Sequence, residues 1–457
     1  MPESSVIILV ADGLTTETLD AAVDGGAVPE LAMLREAGGR HVVTTIFPSV
    51  TGVAYVPLLT GQHPAPLGIP GLRWYDRSRR LPALLGHSRS YVGTQIRAMS
   101  RDLDRSAETA FELASGRALG MAALLTRGLP GRNRVDRGVQ HAVRVIGAHV
   151  RGDVEAWAAL EEALAARLVE RIRREKPRFV FAAFTAGDKA AHAAGPASAG
   201  VMRSLKLVDH VAGQIRRDAE RDGRWPLMHL CVVSDHGHAP VREHLDLASA
   251  VAKTGITVRS HPWTIPDRSD AAVMVSGNSM AHLYLGLDAT TRRPWPELSS
   301  AWRQRLDFLW MHAGVDLIAT LQSDSEVAVE RGGERALIQM ARDRFSYTPV
   351  SGNPLGIDAF SGVCEDEAHE RTAASPYPDG VVQLARLVTA ERSGDLVLSA
   401  APGWDLRRRY EPIDHVSSHG ALHAAHMLVP LTGSRRVANR PRRTADLFTM
   451  ASRVLRR

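Results

Sequence analysis

Three short apolar runs in this chain are each followed within four residues by an aspartate, and that repetition constrains the fold more than any other feature. "VIILVADGL" delivers Asp12 past the run at 6–11, "FVFAAFTAGDKAAH" delivers Asp188 and His192 past the run at 179–184, and "LCVVSDHG" delivers Asp235 and His236 past the run at 230–234. The runs lack polar alternation, as strands buried on both faces do, and helix-like stretches separate them. The clearest such stretch is "DVEAWAALEEALAARLVERIRREK" (153–176), with apolar positions and charge pairs at helical spacing. A fourth run, "LVLSA" (396–400), reads as a further parallel strand. Strands alternating with helices predict a doubly wound α/β core. In an open parallel sheet the carboxyl ends of the strands share one edge, so the five Asp and His side chains are expected to converge there.

The donor chemistry points to a metal. Cys231 and Cys364 are the only cysteines, too few for a disulfide framework or a thiolate cage, so an ion at that edge would be held by His and carboxylate. That donor set suits Zn²⁺, with Mn²⁺ as the alternative, better than Ca²⁺. Asp188 and His192 lie four residues apart, which places both on one face of a helical turn. "VSSHGALHAAHMLVP" adds His419, with His423 and His426 close by, and His238 follows His236 by two. In "TTIFPSVTGVAYVPLLTGQHP", Thr51 precedes an apolar helix-like run and admits two readings. It is an N-cap, or it is a hydroxyl nucleophile placed near an anion by the free N–H groups of a helix start.

Bulk properties narrow the class. A chain of 457 residues with 44% hydrophobic and 23% charged residues has the proportions of a globular protein, not a disordered one. No apolar stretch reaches the roughly 18 residues of a membrane span. The N-terminal "MPESSVIILVADGL" has neither a basic n-region nor a small-residue cleavage site, which reads as cytoplasmic. The formal charge of +6 favours anionic ligands. Arginine runs in "DLRRRY", "SRRVANRPRR" and "RVLRR" leave a basic nucleic-acid-binding protein as the non-enzyme alternative, but no recognition motif or interleaved aromatics accompany them. Residues 97–150 read as a helical excursion and residues 245–390 as an inserted cap on one catalytic domain spanning 1–457. Within the cap, "AAVMVSG" and "AHLYLGL" look like strands and "ERALIQMARDRF" like a helix.

The ordered set Asp12, Thr51, Asp188/His192, Asp235/His236, His419 resembles the alkaline phosphatase superfamily, most closely its type I phosphodiesterase/nucleotide pyrophosphatase branch. The resemblance implies a three-layer α/β/α sandwich with a mostly parallel central sheet. It implies two divalent ions, one held by Asp12, Asp235 and His236 and the other by Asp188, His192 and His419, with Thr51 bridging toward phosphorus. The activity implied is hydrolysis of a small-molecule phosphoric ester through a phospho-threonine. The backbone N–H of Gly52 would hold a phosphoryl oxygen, and His423 would contact substrate. One departure bears on substrate. Nucleotide pyrophosphatases typically carry Phe-Pro-Asn-His after the nucleophile, whereas this chain reads Gly52-Val53-Ala54-Tyr55. A phosphomonoesterase or a phosphonate hydrolase of the same superfamily is therefore the alternative activity. Arg73 and Lys189 are further candidate phosphate clamps.

Overall fold

The computed structural model describes residues 3–79, 87–92, 95–261, 269–407, 411–437 and 440–457. Its centre is a six-stranded sheet built from β1 (Ser5–Ala11), β2 (His41–Thr44), β3 (Ala118–Met121), β4 (Phe179–Phe184), β5 (Met228–Val233) and β6 (Leu428–Gly433). The spatial order is β2-β6-β5-β1-β4-β3. β5, β1, β4 and β3 run parallel, while β6 pairs antiparallel with β5 and with β2.

β1 sits in the middle because both of its faces are apolar. Val6, Ile8 and Val10 pack with Phe181 and Ala183 on one side, where Tyr55, Leu59, Leu447 and Met450 cover them. Ile7, Leu9 and Ala11 pack on the other side with Val180, Leu168, Ile172, Leu205 and Val208. The second side is roofed by helices α2 (Val154–Glu175) and α4 (Ala199–Arg221). Each fully buried Val, Leu or Ile contributes about 1.5–3 kcal/mol, so a strand with all seven residues buried is stable only between two layers. The result is a mostly parallel sheet with helices on both faces.

A second sheet of nine strands lies beside the first. In spatial order its strands are 360–364, 344–351, 334–341, 326–331, 315–323, 396–400, 280–285, 271–276 and 258–260. Here three expectations need correction. The run at 396–400 is a buried strand, but it belongs to this second sheet and pairs antiparallel with 315–323 and 280–285. Apolar layers cover both of its faces, so its sequence looks like that of a parallel core strand. "ERALIQMARDRF" is not a helix. It forms the strand Glu334–Ala341, a two-residue turn, and the start of the next strand at Arg344. Arg342 and Asp343 both have positive φ, the geometry that closes a tight hairpin. The stretch 97–150 is only partly helical, because β3 adds to the edge of the central sheet beside β4. The arginines at 408 and 409 lie outside the described residues. No helix among the described residues is long and apolar enough to cross a membrane.

Candidate metal centre

The sheet topology brings the singled-out residues to one edge. β1, β4 and β5 are parallel neighbours, so Asp12, the segment from Thr185, and Asp235 emerge side by side. Two antiparallel pairings separate β2 from β5, so β2 points the same way and delivers the Thr45–Thr51 segment to that edge. β6 runs the other way, which puts His419, upstream of it, there too.

After β4 the chain enters helix α3 (Ala186–Ala194), which carries Asp188 and His192 on its inner face. Glu161 of α2 fixes the start of α3 by accepting from the backbone N–H groups of Thr185 and Ala186. Burial pushes the Glu161 carboxyl up to about 8, against those hydrogen bonds. Trp157 Nε1 donates to Thr185 Oγ1 at 2.9 Å and tethers the same turn.

Among the described residues the metal-type donors form two buried groups. One is Asp12, Asp235 and His236; the other is Asp188, His192, His238 and His419. The groups abut, since the His236 and His419 rings stack with centroids 3.7 Å apart. In the first group, His236 Nε2 lies 3.1 Å from Asp12 Oδ1 and 3.7 Å from Asp235 Oδ2. Asp235 Oδ1 accepts from the Gly13 N–H, while Asp235 Oδ2 is buried with no hydrogen-bond partner. In the second, Asp188 Oδ1 lies 3.0 Å from His238 Nε2, 3.3 Å from His192 Nε2 and 3.6 Å from His419 Nε2.

The ring tautomers follow from what the other ring nitrogens touch. Nδ1 of His192 lies 2.9 Å from the Ser417 carbonyl, Nδ1 of His419 lies 3.0 Å from the Ser49 carbonyl, and Nδ1 of His236 lies 3.1 Å from the Gly237 carbonyl. A carbonyl only accepts, so each Nδ1 carries a proton, and each Nε2, which faces the carboxylates, is the nitrogen left to ligate. Ring nitrogens crowded onto carboxylate oxygens, together with the unpartnered Asp235 oxygen, are the arrangement that a cation resolves.

The electrostatics agree. Burial raises Asp235, and Asp12 raises it further, well above the usual carboxylate range. Burial pulls His236 down, but Asp235 and Asp12 outweigh it and push the ring up to about 10. His236 therefore keeps a second proton, at Nε2 between the two carboxylates, the place that a bound cation would take. Burial would raise Asp188, yet His192 and Lys189 hold it well below its usual range. Burial drives His238 down to about 3 and His419 well below 6.5, so both rings are neutral and free to ligate.

Thr51 belongs to this site and not to a helix cap. The helix that follows, α1 (Tyr55–Thr60), has Ala54 at its N-cap position. Thr51 Oγ1 instead donates to Asp12 Oδ1 at 3.1 Å and sits 3.0 Å from His236 Nε2. The capping alternative fails because the chain makes a full turn, 51–54, before the helix begins. Gly52, next in the chain, has φ +84°. Lys189 is 3.6 Å from Asp188 Oδ2 and its ammonium lies over Trp157. Arg73 is buried, with NH1 on the Val275 carbonyl. It lines a recess with Ser260, His261 and Arg407. That recess adjoins the centre: Leu406 in its wall donates to the Asn278 carbonyl, and Asn278 forms a β-bridge with His419. His423 lies outside both groups. Its ring is buried against His426, 4.0 Å away, and Asp316 is the charge that acts on it.

Several contributors had no local sequence signal. Tyr55 donates its hydroxyl to Asp12 Oδ2 at 3.3 Å. Ser417 holds both His192 and His238, and His415 stacks on His192 at 4.0 Å. Of the residues around the two groups, only His238 carries a sequence signal, as a histidine two residues past a ligand candidate.

The sequence matches the family described as type I phosphodiesterase/nucleotide pyrophosphatase over residues 6–422. A search of curated proteins finds no match. Among solved structures, phosphonoacetate hydrolase from Sinorhizobium meliloti in complex with phosphonoacetate is similar at 19% identity and TM-score 0.58, covering 99% of this chain and 96% of that one. Murine ectonucleotide pyrophosphatase/phosphodiesterase 5 in complex with AMP is similar at 15% identity and TM-score 0.59, covering 99% and 95%. The human enzyme of that name gives 13% identity and TM-score 0.57 over 99% and 95%. At these identities the structures establish a shared fold, and the family match over most of the chain establishes kinship. The chain belongs to the type I phosphodiesterase/nucleotide pyrophosphatase family, within the alkaline phosphatase superfamily, and is a hydrolase of phosphoric ester bonds.

Proposed function

We propose that the protein cleaves a small anionic phosphoric ester with Thr51 as nucleophile and two divalent ions, of which Zn²⁺ best suits the donors, one held by Asp12, Asp235 and His236 and the other by Asp188, His192 and His419. The observation that carries this reading is the position of Thr51 Oγ1, 3.1 Å from Asp12 Oδ1 and 3.0 Å from His236 Nε2. When bound, the ions supply positive charge that stabilises attacking and leaving oxygens. Thr51 supplies the covalent step. Its hydroxyl proton passes to Asp12, the Thr51 Oγ1–phosphorus bond forms, and the bond from phosphorus to the leaving oxygen breaks. The leaving oxygen takes up a proton from solvent as it departs, and the water that attacks in the second step returns one. Water then adds to phosphorus, the Thr51 Oγ1–phosphorus bond breaks, and Thr51 regains its hydroxyl proton. Tyr55 holds the far oxygen of Asp12 and so keeps the near one facing Thr51. The Gly52 N–H is the proposed donor to a phosphoryl oxygen.

A second reading, cleavage of a phosphonate that carries another anionic group, is favoured by the recess lined by Arg73, His261 and Arg407. The absence of the Asn found in nucleotide pyrophosphatases points the same way, and a similar fold binds phosphonoacetate. Metal-loaded protein assayed against p-nitrophenyl phosphate, bis-p-nitrophenyl phosphate and a phosphonate ester separates these substrates. Acid-quenched enzyme analysed by mass spectrometry tests the nucleophile: phosphate on the Thr51 peptide is expected, and its absence during turnover overturns the covalent route.

A further inference from the structure

His238 is a ring that the two-ion scheme leaves unused, yet it is the closest imidazole to Asp188. Its Nε2 lies 3.0 Å from Asp188 Oδ1 and its ring centroid lies 4.7 Å from that of His192 and 5.2 Å from that of His419. A hydrogen bond from Nε2–H to Asp188 would be the ordinary account of that contact. The other end of the ring decides against it. Ser417 Oγ lies 2.6 Å from the Ala191 carbonyl, which can only accept, so the single hydroxyl proton of Ser417 is committed there. Ser417 Oγ is also 3.0 Å from His238 Nδ1 and must accept from it. In the neutral ring the proton is then on Nδ1, and Nε2 faces the carboxylate with a lone pair.

We propose that His238 is a fourth ligand of the Asp188 site, which is thereby closed by four protein donors: Asp188 Oδ1 and the Nε2 atoms of His192, His238 and His419. This rests on the two-ion reading above. The spacing supports it. In a tetrahedral zinc site with bonds of about 2.0–2.1 Å, neighbouring donors stand ~3.3 Å apart. The three imidazole nitrogens stand 3.0, 3.3 and 3.6 Å from the shared Asp188 oxygen. Ser417 orients two of the rings at once, His192 through its carbonyl and His238 through its hydroxyl. The fold makes room for the extra ring at Gly13, where a Cβ would stand 2.8 Å from His238 Cδ2. Four protein donors hold an ion more tightly than three and leave it only a fifth position for a substrate oxygen, whereas Asp12, Asp235 and His236 are three donors and leave the fourth open. The two ions are thus unequal, and the exchangeable position lies on the Thr51 side.

The test uses full-length protein loaded with Zn²⁺. In wild type, dialysis against increasing chelator should remove zinc in two steps, with one ion retained long after the other. H238A and H238Q should both lose the retained ion, weakening that site by more than the roughly 10–100-fold that loss of an outer hydrogen-bond partner costs. The glutamine amide can donate to Asp188 but ligates zinc poorly, so H238Q separates the two roles. A crystal structure of zinc-loaded wild type gives a second readout independent of variant folding, with His238 Nε2 expected about 2.0–2.1 Å from the ion. Retention of the tight ion in H238Q, or a zinc structure with His238 donating to Asp188 off the ion, overturns the proposal while leaving the two-ion reading intact. Failure of either group to bind zinc overturns both.

Discussion

Replacing Thr51 by valine keeps the shape of the side chain and removes only the hydroxyl, so it separates chemistry from architecture. The hydroxyl makes close contacts with Asp12 Oδ1 and His236 Nε2, and Thr51 is only partly buried. Losing a hydrogen bond to a carboxylate at such a position costs about 1–2 kcal/mol, and Asp12 keeps its Tyr55 partner. The metal donors lie on other residues, so zinc content is expected to stay at the wild-type value. Removing the nucleophile is a different matter, because turnover should fall by about 10³–10⁵. At 1.36 kcal/mol per tenfold that is roughly 4–7 kcal/mol of barrier, several times the stability effect. Thr51→Ser keeps the hydroxyl and should retain measurable turnover. The assay is kcat on the best ester from the substrate screen, read beside the urea midpoint and bound zinc of the same samples. Turnover of Thr51→Val within tenfold of wild type, with zinc still bound, refutes the reasoning and makes water the direct attacker.

Other positions give independent checks. Glu161→Ala frees the start of α3 two residues before Asp188, so zinc affinity should fall about 10–100-fold in a chelator competition; wild-type affinity would show that Glu161 does not position the ligand. Phe181 is fully buried and its ring meets the Tyr55 ring edge-on at 5.1 Å, so Phe181→Ala should cost about 3–5 kcal/mol in urea unfolding, and a loss under 1 kcal/mol contradicts the packing. Burial alone would raise Glu365, but His63, Arg443 and Arg386 hold it well below its usual 4.5. A carboxylate lowered in the folded state adds stability above pH 4.5 and loses it as pH falls below that value. Wild type should therefore lose more stability than Glu365→Gln between pH 6 and pH 3.5, and equal losses in parallel denaturation curves would discount the contact.

The apolar runs by themselves determined the centre of the fold. β1, β4 and β5 are buried on both faces, so their sequences could not belong to a one-sided sheet, and the aspartates that end them had to share an edge. Pattern alone could not say which sheet a buried strand joins. The run at 396–400 shows this, since a strand covered by apolar layers on both sides reads the same whether its neighbours are parallel or antiparallel. The segment at 334–345 reads as a helix for a related reason: apolar residues spaced by two and by three fit a short strand and a short helix alike, and the turn depends on left-handed Arg342 and Asp343, residues that do not announce that conformation. At the site, the sequence singled out Asp12, Asp188, His192, Asp235 and His236 because they stand just past strands or at helical spacing, and the family resemblance added His419. Thr51 stayed between two roles until the structure put its hydroxyl on Asp12 and ended the capping alternative. Only tertiary structure brought in Tyr55, Glu161 and Ser417, whose contacts span 43, 25 and 179 residues of chain. It alone also fixed which nitrogen of each histidine carries the proton, because that choice depends on a carbonyl or hydroxyl supplied from elsewhere in the fold, and no local sequence pattern encodes it.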